Sequence, residues 1–163
     1  MSDEVRTEQA AAHHHLAGRT VEIGAGSSPT PGVTVTVDHR TNQPGVGVEA
    51  GKWATPDVCA DMAALPFRTG AFDTLVAIHL LEHDPDTLAV LSEWARVAAK
   101  LVVVCPDQEH FEGNTLGLDP THRACFTPDQ LGALMGHVMA GVEVGPCIPR
   151  WSFMAVAGAD LPA

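Results

Sequence analysis

The chain has no tyrosine, and its 163 residues include only five phenylalanines and three tryptophans. That leaves little material for an aromatic cage around a cationic ligand. Basic residues are scarce as well. Nine Lys and Arg stand against twenty Asp and Glu, a net charge of −11 with His neutral. Such a field repels phosphate backbones and forfeits the counterion release on which nucleic-acid binding leans, so a small or neutral partner is expected. The four cysteines, Cys59, Cys105, Cys125 and Cys147, form no CxxC pair and lack the density of a disulfide scaffold, which fits a reduced, cytoplasmic setting. No apolar window reaches the roughly 18–20 residues of a bilayer crossing, and no basic stretch followed by an apolar run opens the chain. Neither a membrane span nor a secretory leader is expected.

What is present suits one globular domain, since 45% of residues are apolar and 18% charged in a length typical of a single core. Residues 1–18 read as a polar, Ala-rich extension with a short helix stopped at Gly18, and His13-His14-His15 as solvated surface. From residue 19 to 163 the pattern is that of a single α/β domain. Thr20–Gly24 and Val33–Asp38 read as strands, Thr41–Pro56 as loop, Val58–Ala60 as a short strand, and Phe72–His79 and Leu101–Cys105 as central strands. Asp84-Pro85 predicts a helix start, with Leu88, Leu91, Ala95 and Ala98 on its buried face. The stretch of about twenty residues after Pro106 predicts a binding loop or lid. Thr127-Pro128-Asp129-Gln130 predicts a capping box, followed by the stripe Leu131, Leu134, Met135, Val138 and Met139. Val142–Val144, a turn at Gly145-Pro146, and Trp151–Val156 predict a closing antiparallel hairpin.

The chemistry-bearing residues gather at predicted strand ends. Glu22-x-Gly24-x-Gly26 brings backbone close to a ligand, because glycine tolerates positive φ and leaves room above the chain. Pro29 stands where a third glycine would complete a dinucleotide fingerprint, so GxGxxG is absent. Asp38 ends the second strand, where a carboxylate either accepts from the two hydroxyls of a ribose or caps a turn. It follows Gly24 too soon for a full crossover helix, and Ser28-Pro29-Thr30-Pro31-Gly32 resists helix formation.

Val21-Glu22-Ile23-Gly24-Ala25-Gly26, Val37-Asp38, Asp61-Met62-x-x-Leu65-Pro66-Phe67 and Phe72-Asp73 through His79-x-Leu81-Glu82-His83 together resemble a class I S-adenosylmethionine-dependent methyltransferase of the small-molecule type. Glu93-x-x-Arg96-Val97, Val104-x-Pro106-Asp107 and His122-Arg123-x-x-Phe126-Thr127 add to the likeness, which spans about residues 19–158. It implies a Rossmann-like sandwich with a mostly parallel seven-stranded sheet, a C-terminal antiparallel hairpin, and a first crossover helix shortened or missing. It implies S-adenosylmethionine as cofactor and methyl transfer to a small-molecule acceptor by direct displacement, driven mainly by proximity and orientation.

The resemblance also implies site roles. Gly24, Ala25 and Gly26 would pass beneath the methionine moiety, with Glu22 helping to hold its ammonium group. Asp38, with His39 beside it, would bind the ribose, and Asp61 and Met62 the adenine. Ile78 and His79 would border the methionine end, and His83 the substrate opening. No catalytic residue is required. If the acceptor must lose a proton, His79, His83, His110 and His122 are the candidate bases.

Two other functions compete. A non-catalytic methyltransferase-like binding protein would explain the trimmed crossover. His79-Leu80-Leu81-Glu82-His83 also spells the HxxEH pattern of a zinc hydrolase, but here it follows a strand and precedes the predicted helix start, so no metal site is expected. With no separate substrate domain, residues 39–56 and 106–126 would have to form the acceptor site, and scarcity of cover leaves a homodimer open.

Overall fold

The computed structural model describes residues 3–39, 55–110, 115–117 and 119–158. Its elements run α1 (Asp3–His13), β1 (Thr20–Ile23), β2 (Val35–Asp38), β3 (Val58–Cys59), β4 (Phe72–Ile78), α2 (Thr87–Val97), β5 (Ala98–Pro106), α3 (Pro128–Val138), β6 (Glu143–Ile148) and β7 (Ser152–Gly158). One seven-stranded sheet has the order β3-β2-β1-β4-β5-β7-β6. β1 to β5 are parallel, and β7 runs antiparallel between β5 and β6. This is the Rossmann-like methyltransferase arrangement. The C-terminal tips of the parallel strands therefore share one edge with the start of β7, where Pro106 pairs with Ser152.

Side-chain alternation sends each strand to two different environments. Leu75, Ala77, Leu101, Val103 and Cys105 face α2 and α3 and join Leu91, Trp94, Leu131 and Met135 in the main core. Val76 and Val102 face the other way and meet Ala12 of α1 in a second, small cluster. The continuous apolar run of β5 is thus explained by cover on both faces.

Residues 24–34 contain only turns and bends, so the first crossover helix is missing, as the prolines predict. Hydrogen bonds to β1 hold the connection instead. Thr30 donates its N–H and hydroxyl to Glu22 at 2.6 and 3.0 Å. Thr34 donates its N–H to the Thr20 hydroxyl at 2.8 Å, and Thr20 N–H donates to the Thr34 hydroxyl at 3.1 Å.

Three local expectations are corrected. A short 3₁₀ turn, Leu81–His83, precedes α2, and Asp86 rather than Asp84 is the N-cap, accepting from Ala89 N–H. Asp84 instead accepts from Asp86 N–H at 2.8 Å, because an Asx turn at Asp84-Pro85 competes with helix initiation. The buried face of α2 is Val90, Leu91, Trp94 and Val97, whereas Leu88 is 42% exposed and Ala98 already begins β5. In the hairpin, Gly145 and Pro146 lie inside β6, with the turn after Ile148. β6 is an edge strand, where a missing N–H is tolerated. The capping box of α3 forms as predicted, with Gln130 N–H on the Thr127 hydroxyl at 3.2 Å and Thr127 N–H on the Gln130 side chain at 3.0 Å.

Candidate functional site

The sequence-predicted site residues fall mainly on the tips of four adjacent strands, in the spatial order β3, β2, β1, β4. At the β1 tip Gly24 and Gly26 have φ of +74° and +56°, the left-handed region that favours glycine. A Cβ on Gly24 would come within 2.9 Å of Leu80 Cδ1. Gly24 N–H donates to the Val37 carbonyl at 2.8 Å, and Ala25 is buried. Gly26 N–H donates to Asp38 Oδ2 at 2.9 Å, and His39 N–H to Asp38 Oδ1 at 2.7 Å. The Asp38 carboxylate thereby fixes the glycine turn while each oxygen keeps a lone pair.

Beyond β3, Asp61 is exposed and its Oδ1 accepts from Ala63 N–H at 2.8 Å. The Met62 carbonyl accepts from Trp94 Nε1–H at 3.0 Å. Helix α2 shapes this loop further. Arg96 grips Glu93 with Nε and Nη2 at 2.7 and 2.6 Å and donates to the Phe67 and Leu65 carbonyls, while Glu93 accepts from Leu65 N–H. Trp94, Glu93 and Arg96 thus hold the loop after β3 against α2.

Glu22 points elsewhere. It is 3% exposed, both oxygens are taken by Thr30, and burial pushes its carboxyl up to about 7 against the partial opposition of those hydrogen bonds. Glu22 thereby anchors the loop that carries Gly24 and Gly26.

At the β4 tip a buried polar network begins that the sequence does not reveal. His79 holds φ of +50°, uncommon for a residue other than glycine. Its Nε2 lies 2.9 Å from Glu8 Oε1 and its Nδ1 3.5 Å from Glu82 Oε1. Burial opposes the imidazolium, yet contact with Glu8, then Glu82, carries its pKa up to about 10. His79 is thus a fixed cation, unsuited to be a base. Ser152 also donates to Glu8 Oε1, at 2.5 Å, and Gln9 Nε2 donates to the Ser28 carbonyl at 2.6 Å. Helix α1 is therefore part of the site's wall.

Glu82 is fully buried, and its carbonyl accepts from Arg123 and Ala124 N–H at 2.7 and 3.0 Å, tying the segment after β5 to the strand edge. His122 Nε2 stands 4.0 Å from Glu82 Oε1, and the rings of His83 and His122 meet edge to face at 4.9 Å. His110 is apart, on the exposed turn after β5, 3.5 Å from Asp107 Oδ2. His79 and His83 do not share an α-helix, so the one-helix zinc-hydrolase pattern is not formed. Glu8, Ser152 and Thr121 escaped sequence reasoning because their partners lie tens of residues away. Residues 40–54, 111–114 and 118, which hold nearly all of the first expected acceptor-side loop and a small part of the second, lie outside the described residues.

Among the described residues, no helix is long and apolar enough to cross a membrane. A search of curated protein sequences gave no significant match. Among solved structures, a Thermotoga maritima S-adenosylmethionine-dependent methyltransferase described as a possible histamine N-methyltransferase superposes with a TM-score of 0.70 at 17% identity, covering 96% of this chain and 89% of that one. A Haloferax volcanii methyltransferase structure, determined as a complex with the Trm112 activator, gives 0.67 at 13% identity, with 96% and 91% covered. The N-terminal domain of EvdMO1, solved with S-adenosylhomocysteine bound, gives 0.60 at 18% identity, with 98% and 82% covered. The model of the methyltransferase domain family matches residues 14–104, more than half of the chain. The chain belongs to that family and is a class I methyltransferase with S-adenosylmethionine as its cofactor.

Proposed function

We propose that the enzyme methylates a small-molecule acceptor by direct displacement, with its cofactor laid across the tips of β3, β2, β1 and β4. The observation that carries the reading is the coupling of Asp38 to the Gly26 N–H at 2.9 Å. A ribose-binding carboxylate and a glycine turn are there organised by the same bond. The cofactor supplies a methyl group on a sulfonium, whose leaving group departs neutral. Gly24 and Gly26 give the methionine portion close access to backbone, Asp38 accepts from the ribose hydroxyls, and Asp61 with Met62 meets the adenine. Such chemistry depends on alignment more than on proton transfer.

The acidic balance of −11 supports a small acceptor rather than a nucleic acid. With His79 held as a cation, His83 and His122 are the histidines at the strand edge left to take a proton from an acceptor that must lose one. Calorimetric titration with S-adenosylhomocysteine tests the reading. Asp38→Ala is expected to weaken binding by about 1–3 kcal/mol, the scale of hydrogen bonds to a charged group. Unchanged affinity would remove Asp38 from the ribose role.

A further inference from the structure

Glu82, His83 and His122 each bring one ligand atom to within 4.8 Å of the others, and the hydrogen bonds around them settle which atoms are free. The Thr115 carbonyl lies 2.8 Å from His122 Nδ1. A carbonyl can only accept, so Nδ1 carries a proton and Nε2 is left facing Glu82. On His83, Nδ1 lies 2.9 Å from the Thr121 hydroxyl oxygen, whose own hydrogen goes to Asp119 Oδ1 at 2.5 Å. The Thr121 oxygen therefore accepts from His83 Nδ1–H, and His83 Nε2 is also left with its lone pair. Glu82 Oε1 completes the set. It belongs to a side chain with no solvent exposure and makes no close hydrogen bond; its neighbours are the longer contacts to His79 Nδ1 at 3.5 Å and His122 Nε2 at 4.0 Å, which leave it able to accept a ligand.

We propose that Glu82 Oε1, His83 Nε2 and His122 Nε2 form a site for a divalent transition-metal ion, zinc foremost, that clasps the segment after β5 to the turn after β4. Two imidazoles and one carboxylate, each histidine oriented by an outer hydrogen bond, is a donor set suited to zinc. A tetrahedral ion with metal–ligand bonds of about 2.0–2.1 Å needs its donors about 3.4 Å apart, so modest rotations of the two rings would close the cluster. Three protein ligands leave one position for water or for an oxygen, nitrogen or sulfur of another molecule. The sequence hides the site because His122 lies far along the chain from Glu82 and His83, and because the HxxEH spacing directs attention to His79, whose Nε2 is occupied by Glu8. The site leaves the cofactor roles above untouched, but while the ion is bound His83 and His122 would not serve as bases, since Nε2 of each holds the metal and Nδ1 is engaged by Thr121 and Thr115.

The test is equilibrium dialysis of chelator-treated full-length protein against zinc, with bound metal measured by atomic absorption. The surface triplet His13-His14-His15 is first replaced by alanine to remove a competing binder. That background is expected to bind one zinc per chain and to gain thermal stability with it. His122→Ala and His83→Ala are expected to weaken binding by at least tenfold. Glu82→Gln, which keeps the buried volume, does the same and serves where an alanine variant fails to fold. The stability gain disappears in each folded variant. Loss of zinc with the triplet alone, or undiminished binding in folded Glu82→Gln and His122→Ala, overturns the site.

Discussion

The two faces of the sheet are held by different means. Toward α2 and α3 the contacts are apolar, with Trp94, Leu91, Leu131, Met135 and Phe153 wholly or almost wholly buried. Toward α1 and the helix-free first connection, the buried apolar cluster among the described residues is Ala12, Val76 and Val102 with a few half-buried neighbours, and the strands carry Thr20, Glu22, Thr36 and Thr74. Each of these makes a specific bond: Thr20 with Thr34, Glu22 with Thr30, Thr36 with Asp57, and Thr74 with the Ala17 backbone. Without a crossover helix there is no greasy stripe to bury, so the chain covers that face by hydrogen bonding. Apolar burial tolerates adjustment, whereas a buried polar group left unpaired costs its full desolvation. The polar face is accordingly the more sensitive to protonation and to single-atom changes.

The sharpest contrast is expected from Trp94→Ala. It opens a cavity in the main core and releases the Met62 carbonyl, so urea denaturation is expected to show a loss of about 3–5 kcal/mol. A loss below about 1 kcal/mol would contradict the account of the apolar face. On the opposite face, Glu22 is expected to make stability depend on pH. Its folded-state pKa of about 7 exceeds the ordinary 4.5, so the folded protein holds this proton more tightly than the unfolded chain. The favourable contribution is complete below about pH 4.5 and is lost as pH rises through 7, by about 3 kcal/mol in all. Glu22→Gln mimics the protonated group, and its advantage over wild type is expected to grow from pH 5 to pH 8. A difference independent of pH would refute the shift. Thr74→Val keeps the shape and removes the bonds to Ala17 N–H and carbonyl at 3.2 and 3.1 Å. A destabilisation of about 1–2 kcal/mol is expected, with hydrogen-exchange protection falling first at α1. Uniform loss across the sheet would show that Thr74 does not hold the helix.

The same contrast explains what could be read from the sequence. Strands β4 and β5, the missing first crossover and the capped start of α3 were legible because periodicity and punctuation act locally. The positions of Gly24, Gly26 and Asp38 around the ends of β1 and β2 were legible too, since a strand end places a residue without reference to distant partners. Glu8 was not legible: on an acidic, Ala-rich helix it looks solvated, and its burial depends on His79, 71 residues away. The α2 face was misread because Leu88 and Trp94 both fit helical spacing, and only packing against the sheet chooses between them. Gly145-Pro146 looks like a turn until β6 is known to be an edge strand.

Glu8 Oε1 accepts from Ser152, 144 residues along the chain, and meets His79 at the same atom. Contacts of such sequence separation are entropically slow to close. This corner of the molecule should therefore be among the last to assemble and the earliest to loosen, so that its closure marks the docking of α1 onto a finished sheet.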